Sequence, residues 1–180
     1  MIDPLATWRS TFKLLPLVVT DVWATNFANW VSDRVTSKMS LPGLQGPGLT
    51  FTFDKATFIT ELEALEDTTD EEEGAINFAE AWETAMLSSI AAVAVGTSIG
   101  APTTFTTWSA ISSTVIDAPS LAAGKAKIIE LKDAPKVGDA DLSDFPPFFR
   151  DAFLLLTITT TGVDSDGPPN PLVDPARPVA

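Results

Sequence analysis

TDEEEGAINFAEAWETAMLSSIAAVAV, residues Thr69 to Val95, decides the fold. Four consecutive acids, Asp70 to Glu73, stand behind a Thr that can cap a helix. Small or apolar residues then recur at Ala75, Ile76, Ala79, Trp82, Met86, Ile90 and Val93, in steps of three and four that trace one helical face. The acids suit the positive end of a helix dipole, and Thr69 with Glu72 has the spacing of a capping box. Beyond Glu83 the stretch carries no charge, and Ala85, Ala91, Ala92 and Ala94 permit close approach of neighbours. The reading is a long helix, solvated at its start and buried at its end, with Trp82 as a core anchor.

The flanking segments repeat this pattern. Asp3-Pro4 is a helix start, and Pro16 disfavours helical geometry at Leu15, so a first helix ends near Leu14. A second, from about Pro16 or Asp21 to Lys38, places Trp23, Phe27, Trp30, Val31 and Val35 on one face, which reads as core packing. Met39 to Thr50 is a Gly/Pro-rich loop with neither P-loop nor dinucleotide spacing. TFTF at 50–53 reads as a brief strand. Asp54 then caps a helix to about Glu66, with Phe58, Leu62 and Leu65 inward.

After a turn at Gly96 to Pro102, the spacing of Phe105, Trp108, Ile111 and Val115 predicts a further helix. Asp117-Ala118-Pro119 opens another to about Lys132, with Leu121, Ile128, Ile129 and Leu131 apolar. Ala134 to Asp144 reads as a polar loop. Pro146 and Pro147 open a last helix in which Phe149, Ala152, Phe153 and Leu156 share a face. For Leu154 to Val163, LLLTITTTGV, the β-branched residues favour a strand, while the helical phase and Gly162 favour a helix, the reading adopted. The fold class is therefore mainly α, a single-domain multi-helix bundle over residues 1–164. Residues 165–180 hold five prolines and form an extended Pro-rich C-terminal arm, either a loose end or a segment lying along a neighbouring surface.

Composition excludes much chemistry. The chain of 180 residues has no Cys, His or Tyr, which removes disulfides, thiolate nucleophiles, the commonest zinc ligand and the usual general base near neutral pH. A net charge of −13 argues against a phosphate-binding surface, and so against direct nucleic-acid binding. Between Lys55 and Lys125 there is no base but eleven acids, eight of them from Glu61 to Glu73. Neighbouring acids on a helix radiate in different directions, so a solvated junction suits this cluster better than a cation site. Asp164-Ser-Asp166-Gly167 opens like a calcium loop, but its Gly is misplaced and Pro175 stands where the closing Glu belongs. The start lacks the basic region and cleavage site of a signal peptide. The uncharged run from Thr84 to Ile116 is long enough to span a bilayer, but Gly96, Gly100, Pro102 and acidic flanks favour buried helices.

Three segments carry a resemblance: FAEAWETAMLSSI at 78–90, FPPFFRDAFLLLTITTTGVDSD at 145–166 and NPLVDPARPV at 170–179. Together they resemble small helical accessory structural proteins of tailed-phage virions. That resemblance implies a non-enzymatic subunit of head, neck, tail or baseplate, present in several copies in the virion, with other structural proteins as partners and no cofactor. The candidate docking residues are Leu172, Val173, Arg177 and Val179 of the arm. Glu71, Glu72 and Glu73 offer an acidic surface that Arg177 of another copy can meet. The alternative is a small-ligand or cation-binding helical protein that uses the Trp-lined core and the acids.

Overall fold

Among the described residues, six helices pack into one mainly helical domain, from which a three-stranded antiparallel sheet extends. The computed structural model describes residues 2–12, 22–36, 38–39, 51–65, 70–93, 108–133, 145–164 and 171–178. The helices are α1 (Leu5–Phe12), α2 (Trp23–Val35), α3 (Lys55–Glu63), α4 (Glu71–Val93), α5 (Ala118–Ile129) and α6 (Phe145–Leu154), with a 3-10 turn at Glu130–Asp133 after α5. The strands are β1 (Trp108–Ile116), β2 (Thr157–Asp164) and β3 (Pro171–Pro178), in the order β1-β2-β3.

The central helix α4 starts at Asp70, whose Oδ1 accepts the backbone N–H groups of Glu72 at 2.9 Å and Glu73 at 3.1 Å. The cap is thus Asp70, while Thr69 lies outside the described residues. Of the predicted stripe, Ala75, Ala79, Trp82, Met86 and Ile90 are buried, Ile76 is half-buried, and the Val93 side chain lies outside what the structure describes; Ala85 is buried beside them. Helices α3 and α5 pack against α4, and α6 packs against α5 and α1.

Aromatic rings knit these helices together. Trp8 of α1 meets Trp30 of α2 edge-on at 5.0 Å, and Phe12 stacks on Phe145 of α6 at 5.1 Å. Phe27 of α2 meets Phe149 of α6 at 5.1 Å, and Phe153 meets Trp82 of α4 at 5.7 Å, both near perpendicular. These are the edge-to-face geometries that ring quadrupoles favour. The stripe Phe27, Trp30, Val31 and Val35 is core, as expected, and Trp23 packs partly buried against it.

Three expectations are corrected. Residues 51–53 form no strand, although Phe51 and Phe53 are buried. The reason is local: the N–H of Phe53 goes to Thr36 Oγ1 at 3.3 Å and that of Asp54 to Ser89 Oγ at 2.6 Å. Residues 108–116, read as helix, are strand β1. Likewise, helix α6 stops at Leu154 and Thr157–Asp164 is strand β2. The two strands pair directly, Ile116 with Ile158 and Val115 with Thr159, through to Trp108 with Asp164. Their β-branched side chains suit a pleated surface, and the pairing satisfies both backbones. Register shifts lie between Trp108 and Ala110 and between Ile111 and Ser113. The turn at 96–102 and the loops at 40–50 and 134–144 fall outside the described residues.

Candidate interaction surfaces

The C-terminal segment is extended, and the surface it lies along is β2 of its own chain. Leu172 stands opposite Gly162, Val173 opposite Thr161, and Arg177 opposite Ile158. Val179 lies outside the described residues. The prolines explain how such a segment can be a strand. Proline lacks the N–H that a ladder needs and is tolerated at edges, strand ends and irregularities. Pro171 and Pro178 are the first and last residues of β3, and Pro175 falls at the register shift opposite the stretch from Ile158 to Thr160. Among the described elements, β3 makes its extensive contacts with β2.

The sheet is clasped to the helical domain where β1 turns into α5. Asp117 donates its N–H to the carbonyl of Thr157 at 3.0 Å and accepts the Thr159 hydroxyl on Oδ1 at 3.0 Å. Ser120 Oγ accepts the Thr157 N–H at 3.0 Å and lies 2.8 Å from the Asp117 carbonyl that takes its proton. Ile116 and Ile158 then turn their side chains into the core.

Glu71, Glu72 and Glu73 sit exposed in the first turn of α4. Lys132, from the 3-10 turn, reaches Glu72 at 3.4 Å. Farther along the same seam, Lys125 of α5 binds Glu83 at 2.7 Å and Glu80 at 3.5 Å. The Glu83 hydrogen bond holds the Lys125 ammonium above its ordinary pKa, with the charges of Glu83 and Glu80 adding to it and burial opposing. So two lysines join α5 and the turn after it to the acidic side of α4. Among the described residues, no group of three acids is placed to hold a metal ion.

A second polar joint ties α3 to α4. Asp54 caps α3 by accepting the Thr57 N–H at 3.0 Å, and its other oxygen receives the hydroxyls of Ser88 at 2.5 Å and Thr57 at 2.8 Å. These bonds, the Ser88 one foremost, hold the Asp54 carboxyl below its ordinary pKa. The capping role of Asp54 is readable from its place before an apolar run. Its partnership with Ser88 is not, because nothing local in sequence joins positions 34 residues apart.

The structure brings together Leu172, Val173 and Arg177 of the arm on one strand and the three glutamates on one helical turn. It sets Trp8, Trp30 and Trp82 among packed rings in the core, where Trp30 donates its indole N–H to Thr11 Oγ1 at 3.1 Å. Among the described residues, no helix is long and apolar enough to cross a membrane. No family model matches the chain, and no curated protein or solved structure is significantly similar to it.

Proposed function

We propose that this chain is a non-enzymatic structural subunit of a tailed-phage virion. It docks on neighbouring structural proteins, in several copies, through its surface and its C-terminal arm. The observation that carries this reading is the position of β3, an extended strand at the edge of the sheet whose extensive contacts, among the described elements, are with β2. An edge strand attached in this way offers its outer edge to a partner. The resemblance of segments 78–90, 145–166 and 170–179 to small virion proteins supports the same conclusion. So does a composition without His, Cys or Tyr, which leaves few side chains suited to catalysis at neutral pH.

The test is co-sedimentation with particles from a producing host, using the full chain and a chain lacking residues 165–180. Circular dichroism of the truncated chain checks that the helical domain is intact. The full chain is expected in the particle fraction and the truncated, folded chain is expected to be depleted from it. A full chain absent from particles would overturn the reading, and equal incorporation of both would remove the arm from it.

A further inference from the structure

We draw no further inference here: the strongest candidate, the outer face of the sheet on which Val115 of β1 is exposed, is a surface for which nothing among the described residues shows what would cover it.

Discussion

Gly124 of α5 lies against the ring of Trp82 on α4 so closely that a Cβ there would stand 2.7 Å from Trp82 Cη2 and 3.1 Å from the carbonyl oxygen of Ala152 on α6. Three helices therefore meet at a point where there is no room for a methyl group. Trp82 is fully buried and its ring is braced by Phe153, so it cannot swing aside. Gly124→Ala gains up to about 1 kcal/mol of helix propensity, but overpacking a core costs about 1–3 kcal/mol. The net expectation is a lower melting temperature, by about 2–4 °C for each kcal/mol lost in a domain of this size. An unchanged or raised melting temperature would show that α5 can slide away from α4.

Truncating the ring tests the same contact from the other side. Trp82→Ala is expected to cost about 3–5 kcal/mol, measured by denaturant unfolding. Trp82→Phe with Gly124→Ala should cost less than the two single changes summed, because the smaller ring makes room for the added methyl group. Strict additivity would mean that the two residues do not share their space.

Asp54 governs part of the response to acid. Its folded pKa lies below the ordinary 3.8, with the Ser88 hydroxyl as first cause. A depressed carboxylate contributes stability that is fully present above the unfolded value and is lost as pH falls through the folded one. The window therefore lies below about pH 4. Ser88→Ala should lessen the fall of stability between neutral pH and that window, in urea midpoints taken at stepped pH. Asp54→Asn should lessen it too, while keeping a side chain able to cap α3. A wild-type acid limb in both variants would dismiss the joint as a titrating element.

Lys125 gives the opposite limb. Its folded pKa lies above the ordinary 10.5, the Glu83 hydrogen bond being first among the causes. Stability from a raised lysine is fully present below the unfolded value and is lost as pH climbs through the folded one. Lys125→Met keeps much of the apolar stem and removes the charge. It should lessen the loss of stability above about pH 10, and its effect at neutral pH should shrink with added salt, since the pair is partly exposed. Equal alkaline sensitivity of variant and parent would count against the seam.

The helices were legible because their buried residues recur at helical spacing: Phe27, Trp30, Val31 and Val35 in α2, and Ala79, Trp82, Met86 and Ile90 in α4. The strands were not. In β1, Trp108, Ile111 and Val115 happen to fall at helical spacing, although Val115 is exposed and its neighbours Thr114 and Ile116 are buried, an alternation of period two. What settles β1 and β2 as strands is their pairing across 42 to 56 residues of chain, from Ile116 with Ile158 to Trp108 with Asp164, a long-range contact with no local signal. The density of β-branched residues at 157–163 was the clue that outweighs helical phase. In the arm, the prolines showed an extended segment but not the surface it would lie on. Glu71 to Glu73 were readable as the charged start of a helix, whereas the Lys132 contact to Glu72 needed the turn after α5 to return to α4.

The alternation at the junction of sheet and helices makes a sharp last prediction. Ile158 is buried at the start of β2, opposite the buried Ile116, while one residue away on the paired strand Val115 is about half exposed at 54%. In a sheet, successive side chains face opposite sides, so the two isoleucines share the core face and Val115 takes the other. Ile158→Ala removes fully buried atoms and should cost about 2–5 kcal/mol. Val115→Ser, on the open face, should stay within about 0.5 kcal/mol of the parent. Unfolding curves of the two variants decide the matter directly. If Val115→Ser proves as costly as Ile158→Ala, then the outer face of the sheet is covered in solution; if neither destabilises the fold, the sheet does not share the helical core at Ile158.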